Sequence, residues 1–105
     1  MKVMFISDLH GSYYWANKAI EKYHEEKADK LIILGDILYH GPRNDLPKDY
    51  NCKKVIALLN PLKKDIIAVR GNCDSEVDQM VLDFPMRSDY ALMDVDQHHF
   101  FMTHG

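Results

Sequence analysis

Four short segments of the sequence place glycine beside side chains that bind metal ions or transfer protons. The segments are Ser7-Asp8-Leu9-His10-Gly11, Gly35-Asp36, Arg70-Gly71-Asn72-Cys73-Asp74 and Thr103-His104-Gly105. Carboxylate, imidazole and amide groups are ligands for divalent cations such as Mn²⁺, Fe²⁺ and Zn²⁺. If the fold brings the segments together, the sequence predicts one metal site whose ligands are Asp8, His10, Asp36, Asn72 and His104.

Each segment follows a short apolar run, which is the pattern of a buried strand. The runs cover residues 3–6, 31–34, 66–69 and 100–102. The first three are continuous rather than alternating, and such runs indicate strands covered on both faces, as in a parallel sheet. Ligands of open α/β sheets bind beyond the carboxyl ends of the strands. The predicted ligands are therefore expected to meet at one edge of the sheet.

Amphipathic patterns between the runs predict the connecting helices. One helix is expected to begin near Ser12, whose hydroxyl suits an N-cap, and to bury Ala16, Ile20 and Tyr23. A second is expected around residues 55–62, bent or ended by Pro61. The sequence thus predicts an α/β fold of β-α-β-α-β order with right-handed crossovers.

Three further segments complete the predicted organisation. Residues 37–51 contain one glycine and two prolines and indicate a long loop, which is uncommon unless it is functional. Residues 75–83 predict a short helix with a capping box of Ser75 and Asp78. Residues 90–95 and 100–103 predict a β-hairpin whose turn covers residues 96–99.

The composition is that of a globular domain. The 105 residues include 47% apolar and 28% charged types, with a net charge of −3. This apolar content excludes a disordered chain, and the mild acidity argues against nucleic acid as a stable partner. No apolar run has the roughly 20 residues of a membrane span, and no secretory signal is recognisable, so a cytoplasmic location is expected. The two cysteines do not form a Cys-x-x-Cys pair.

The four motifs resemble, in order, the opening motifs of the calcineurin-like metallophosphoesterases. The stretches 37–44 and 72–79 are similar to the small bacterial YfcE-type phosphodiesterases of that superfamily. The resemblance covers residues 1–105 and implies one metallophosphoesterase domain: the N-terminal portion of the family's α/β sandwich, with its second sheet incomplete. It is therefore expected that the chain is truncated at its C-terminus.

The resemblance also implies a role for each ligand. Asp8 and His10 would bind one divalent ion, Asn72 and His104 would bind a second, and Asp36 would bridge the two. Mn²⁺ is the expected metal, with Fe²⁺, Zn²⁺ or Ni²⁺ as alternatives. The implied activity is hydrolysis of a small phosphodiester by a metal-bridging hydroxide.

Two departures from the family pattern affect the expected activity. Cys73 stands where many relatives have a histidine that is thought to be the general acid. A thiol with a pKa near 8.5 is a weaker proton donor, so substrates with good leaving groups are expected. Asp74 would orient Cys73 or a water, or cap the next helix. The Gly-His-x-His motif that completes both metal sites is absent from the sequence, so weak metal binding is expected unless a second copy or a complementing C-terminal polypeptide contributes.

Other functions remain open at this stage. A catalytically deficient fragment or a non-catalytic interaction module of the same fold is the main alternative. A Rossmann nucleotide-binding domain would require Gly-x-Gly-x-x-Gly after the first strand, and a haloacid-dehalogenase-type phosphatase would require an aspartate where His10 stands. Arg43 would contact the leaving group or be a solvated loop charge.

Overall fold

The computed structural model describes residues 1–42 and 45–105. The elements in chain order are β1 (Val3–Ile6), α1 (Tyr13–Glu25), β2 (Lys30–Ile33), α2 (Cys52–Leu59), a 3₁₀ turn (Asn60–Leu62), β3 (Ile66–Ala68), α3 (Glu76–Val81), β4 (Tyr90–Val95) and β5 (His98–Thr103). β1, β2 and β3 form a parallel sheet in that order, and β4 and β5 pair antiparallel as a second sheet. The predicted α/β order is confirmed. The predicted contact of Arg43 lies outside the described residues.

Capping side chains define where the helices begin. Ser12 Oγ accepts a hydrogen bond from the Trp15 nitrogen at 3.3 Å, and Asn51 caps α2 in the same way. α2 ends at Leu59, and Pro61 lies in the 3₁₀ turn that follows, as expected for a residue that cannot donate a helical hydrogen bond. No helix in the described ranges is long and apolar enough to cross a membrane.

The main core lies between the parallel sheet and the two long helices. Leu31 and Ile33 of β2 are fully buried and belong to one cluster with Ala16 of α1 and Val55 and Leu59 of α2. The helices cover this face because their apolar residues recur every three to four positions. This packing holds the three parallel strands against the helices, and the candidate ligands follow the carboxyl ends of these strands.

The hairpin lies on the other side of the parallel sheet. The ring of Phe100 in β5 is 6.0 Å from the ring of Phe5 in β1, measured between centroids. Tyr90, Leu92 and Phe101 alternate with the residues that face the sheet and are exposed. We call these three side chains the outer hairpin face.

The hairpin turn is shorter than the sequence predicts. β5 begins at His98, so His98 and His99 pair with Val95 and Asp94 instead of lying in a four-residue turn. The turn consists of Asp96 and Gln97, both with positive φ (49° and 70°). Positive φ at both positions is the requirement of a type I′ turn, which usually includes glycine. The prediction of the turn bounds was wrong because Asp-Gln lacks that glycine signal.

Candidate metal centre

The five predicted ligands lie together beyond the strand ends, around the carboxylate of Asp36. Nε2 of His10 is 3.2 Å from Asp8 Oδ1 and 3.7 Å from Asp36 Oδ2. Nε2 of His104 is 2.9 Å from Asn72 Oδ1 and 3.4 Å from Asp36 Oδ2. Asp36 Oδ2 therefore lies between two imidazoles that come from the first and the last motif of the chain.

Backbone carbonyls orient both imidazoles. Nδ1 of His10 is 2.8 Å from the Tyr39 carbonyl oxygen, and Nδ1 of His104 is 2.6 Å from that of Leu34. A carbonyl only accepts hydrogen bonds, so each Nδ1 carries the proton. In the neutral ring this leaves the Nε2 lone pair directed at the carboxylates. Metal-binding histidines are commonly oriented in this way.

Asp36 is almost completely buried, at 2% exposure. A buried carboxylate is costly unless hydrogen bonds or positive charges compensate it. Its Oδ1 accepts a hydrogen bond from the Cys73 backbone nitrogen at 2.7 Å. Its Oδ2 faces the two imidazoles, and no lysine or arginine in the part of the chain that the structure describes forms an ion pair with it. This oxygen is therefore available for a cation.

Asp74 joins the loops after β2 and β3. Its Oδ2 accepts hydrogen bonds from the backbone nitrogens of Asp36 and Gly71, each at 2.7 Å, and its Oδ1 accepts one from Ile37 at 3.0 Å. The N-cap of α3 is Ser75, so the predicted alternative that Asp74 caps this helix was wrong. The geometry gives Asp74 a positioning role, and its role in catalysis stays a prediction.

Two glycines allow the same loops to approach each other. A Cβ on Gly35 would overlap the backbone of Gly71, and a Cβ on Gly71 would overlap the side chain and the nitrogen of Asp36. Gly35 also has a φ of +98°, which side-chain-bearing residues rarely adopt. Gly35 and Gly71 are therefore required by the close approach of these two loops.

Three of the candidate ligands have a left-handed backbone. The φ angles of Asp8, His10 and Asp36 are 58°, 49° and 55°. Such residues cost about 1 kcal/mol or more each and persist where the surrounding structure holds them. Here the Asp8 nitrogen donates to the Gly35 carbonyl at 3.1 Å, and the His10 nitrogen donates to that of Asp36 at 2.9 Å. Of the seven described non-glycine residues with positive φ, three are candidate ligands of this one site.

The charges of the site shift several pKa values. Burial raises the pKa of Asp8, but its hydrogen bond with Ser7 and the nearby imidazoles of His104 and His10 outweigh burial, so its pKa is lowered overall. The hydrogen bond to the Leu34 carbonyl raises the pKa of His104 against the opposing effect of burial, and nearby carboxylates raise it further. Burial, followed by the charge of Asp36, raises the pKa of the Cys73 thiol. Before a cation binds, these shifts favour the ionised carboxylate of Asp8 and the protonated imidazole of His104.

Sequence reasoning missed three supporting groups. Ser7 Oγ donates to Asp8 Oδ2 at 2.6 Å, and the carbonyls of Leu34 and Tyr39 hold the histidines. The position of Ser7, directly before the first ligand, was a usable signal. Every residue has a carbonyl, so the sequence held no signal for the other two.

The donor set fits divalent cations. One ligand atom each from Asp8, Asp36 and His104 lies within 4.8 Å of the others, and the same is true of His10, Asp36 and Cys73. Oxygen and imidazole donors suit Mn²⁺, Fe²⁺ and Zn²⁺, and the second group adds a thiol, which favours softer ions such as Zn²⁺. The two groups share Asp36, but they place Asp8 with His104 and His10 with Cys73, whereas the resemblance places Asp8 and His10 on the same ion.

The family model of the calcineurin-like phosphoesterase superfamily domain matches residues 1–105, and the chain belongs to this metal-dependent superfamily. It is 48% identical to phosphodiesterase YfcE of Escherichia coli K12, over 100% of this chain and 57% of that protein. It is also 36% identical over 75 residues to the symmetrical bis(5'-nucleosyl)-tetraphosphatase of Buchnera aphidicola, covering 70% of this chain and 24% of that protein.

Solved structures agree with the fold. The structure of YfcE, characterised as a phosphoesterase from E. coli, matches with a TM-score of 0.97 at 48% identity, over all of this chain and 58% of that one. A characterised archaeal phosphodiesterase matches with a TM-score of 0.70 at 28% identity, over all of this chain and 59% of that one. The chain therefore spans somewhat more than half the length of these relatives.

Proposed function

We propose that this protein hydrolyses small phosphodiesters at a centre of two divalent cations. The observation that carries the proposal is the buried carboxylate of Asp36, whose Oδ2 lies 3.7 Å and 3.4 Å from the Nε2 atoms of His10 and His104. Asp8 and His10 would hold one ion, Asn72 and His104 would hold the other, and Asp36 would contact both. Mn²⁺ is the proposed metal.

The chemistry follows from the charges of the centre. Divalent cations, when bound, supply a nucleophile by lowering the pKa of water and stabilise negative charge on phosphoryl oxygens. Two such cations exceed the charge of Asp8 and Asp36, so the phosphate group is attracted without an arginine or lysine cluster. The Leu34 and Tyr39 carbonyls keep the imidazoles in place during the reaction. A phosphodiester with a good leaving group is the proposed substrate because Cys73 is a weak acid.

Two further observations bear on substrate and location. YfcE and the archaeal relative are called phosphodiesterase or phosphoesterase, which supports a phosphodiester substrate. Both cysteines, Cys52 and Cys73, are free thiols. Free thiols suit a reducing compartment, and the cytoplasm is the proposed location.

The proposal is tested by replacing Asp36 with asparagine. This variant keeps the acceptor for the Cys73 nitrogen but removes the shared negative charge. Calorimetric titration with Mn²⁺ is expected to show at least a tenfold loss of affinity, about 1.4 kcal/mol. Mn²⁺-dependent hydrolysis of bis(p-nitrophenyl) phosphate is expected to fall in parallel.

Asp83→Asn is the matched control because Asp83 is an exposed carboxylate outside the site. Its Mn²⁺ affinity and turnover are expected to equal those of the wild type. Equal Mn²⁺ affinity and equal turnover in wild type and Asp36→Asn would refute the proposed centre.

A binding role for the same domain is the second candidate function. The observation that favours it is the outer hairpin face, where Leu92 and Phe101 are 71% and 66% exposed. Exposed apolar side chains in a continuous row are typical of an interaction surface. A second copy of the chain or a complementing C-terminal polypeptide is the proposed partner. Sedimentation of wild type and Leu92→Lys tests self-association, which the charge is expected to abolish.

A further inference from the structure

An apolar groove opens beside the candidate metal centre. Its volume is about 490 Å³, within the range of roughly 300–1,000 Å³ that is typical of small-molecule sites. It is lined by residues of α2, of α3 and of the loops that precede these two helices. The lining includes Tyr39, Tyr50, Cys73, Val77, Asp78 and Val81.

The groove and the metal centre share two residues. Cys73 lines the groove, and its Sγ lies within 4.8 Å of ligand atoms of His10 and Asp36. Tyr39 also lines the groove, while its carbonyl holds His10 Nδ1 at 2.8 Å. A molecule whose phosphate sits at Asp36 is therefore next to the groove.

The groove favours uncharged, ring-bearing groups. Apolar and aromatic side chains make up most of the wall, and its described lining includes no lysine or arginine. Asp78 is the one acidic residue among them and repels a second anionic group. A hydrogen bond with Cys52, then burial, raise the pKa of the Tyr50 phenol to about 12, so it is neutral at physiological pH. Nothing in this lining would compensate an additional phosphate.

We propose that this groove binds the alcohol portion of the substrate and selects phosphodiesters in which that portion is an uncharged aromatic or apolar group. The inference rests on the proposed function, because it places the phosphate at Asp36. It adds a substrate class: esters of aryl or other uncharged ring-bearing alcohols are bound, and esters that carry a further phosphate are disfavoured. Val77 and Val81 of α3 form the wall that contacts the ring.

The test compares phenylphosphonate with methylphosphonate, two ligands with the same anionic group. The full chain is loaded with diamagnetic Zn²⁺, and backbone amide shifts are followed by NMR during titration. Both ligands are expected to shift the Asn72 amide, and only phenylphosphonate is expected to shift those of Val77 and Val81. Removing a phenyl ring from water favours binding, so an affinity at least about tenfold higher is expected for phenylphosphonate.

A pair of variants on α3 isolates the groove. Val77→Asp places a charge on the groove wall and is expected to reduce the phenyl-to-methyl affinity ratio to near one. Met80→Asp places the same charge on the same helix at a residue that is 83% exposed and outside the lining. This control is expected to keep the wild-type ratio.

The outcomes separate this inference from the proposed function. If both phosphonates shift Asn72 with equal affinity and neither shifts Val77, the groove is not a subsite, while the metal centre stands. If neither phosphonate shifts Asn72 in the Zn²⁺-loaded chain, the metal centre itself fails and the subsite fails with it. A ratio that survives Val77→Asp also overturns the inference.

Discussion

The carboxylate of Asp74 binds the backbone of Asp36, with 2.7 Å between Asp74 Oδ2 and the Asp36 nitrogen. The same carboxylate accepts hydrogen bonds from Ile37 and Gly71, and Asp74 is only 5% exposed. Replacing Asp74 with alanine leaves three donors without acceptors, each at a cost of about 1–3 kcal/mol. We expect a decrease of at least about 3 kcal/mol in the free energy of unfolding, measured by urea denaturation.

Asp83→Ala is the control for this prediction, since its side chain is exposed. The free energy of unfolding of this variant is expected to stay within about 0.5 kcal/mol of the wild-type value. If Asp74→Asn instead retained wild-type stability and lost only turnover, Asp74 would be assigned to the chemistry rather than to the loops.

Gly71→Ala is expected to displace the Asp36 side chain and so to weaken the metal centre. An added Cβ would lie 2.6 Å from the Asp36 nitrogen and 2.9 Å from Asp36 Cγ, so the carboxylate must move. Overpacking of this kind costs about 1–3 kcal/mol of stability. We expect a Mn²⁺ affinity at least about tenfold weaker by calorimetry, because the shared ligand is displaced. A folded variant with wild-type Mn²⁺ affinity would contradict this prediction.

Asp78 is expected to make stability depend on pH. Burial raises the pKa of its carboxyl above the ordinary 3.8, the hydrogen bond with Ser75 opposes this effect, and the charge of Asp74 adds to it. The folded protein therefore keeps this proton to a higher pH than the unfolded chain does. Its contribution to stability is complete below about pH 3.8 and is lost as the pH rises through the raised pKa.

Asp78→Asn removes this titration. We expect the variant to be more stable relative to wild type at pH 7 than at pH 4, measured as the difference in the free energy of unfolding in urea denaturation. Glu76→Gln makes the same charge change in the same helical turn at an exposed residue, and controls for loss of negative charge at the start of α3. An identical pH trend in both variants would remove Asp78 as the cause.

Cys73→His is expected to broaden the range of leaving groups. Burial and nearby carboxylates raise the pKa of the Cys73 thiol, which makes it a weak acid. General acid catalysis by a positioned imidazole contributes about 10²–10⁴-fold where the leaving group needs a proton. We expect Cys73→His to raise kcat/KM for alkyl esters by at least about tenfold relative to p-nitrophenyl esters. Cys73→Ser is the control, and a ratio unchanged in Cys73→His would exclude this position as the proton donor.

The sequence was sufficient to predict which residues meet. Parallel strands end at one edge, so residues such as Asp8, Asp36 and Asn72, each just beyond a strand, had to lie close together. The N-cap at Ser12 and the end of α2 before Pro61 were also predictable, since both follow from local hydrogen bonding.

The sequence was not sufficient to predict how the residues are held. The capping box of Ser75 and Asp78 was predictable from the sequence. The hydrogen bond of Asp74 with backbone 38 positions away was not, because it depends on the packing of two distant loops. The carbonyls of Leu34 and Tyr39 have no sequence signature. The turn at Asp96 and Gln97 was misjudged because non-glycine residues adopt positive φ there.

His104 is at the end of the hairpin, whereas Asp36 and Asn72 follow strands of the parallel sheet, so the candidate centre joins the two sheets. An ion held by both sheets would couple hairpin docking to cation binding, so that each would make the other more favourable. Cation binding would then slow hydrogen exchange by the same factor at every amide of β4 and β5 that exchanges with solvent only when the hairpin detaches. Hydrogen exchange in a strand far from any ligand atom would then report occupancy of the centre.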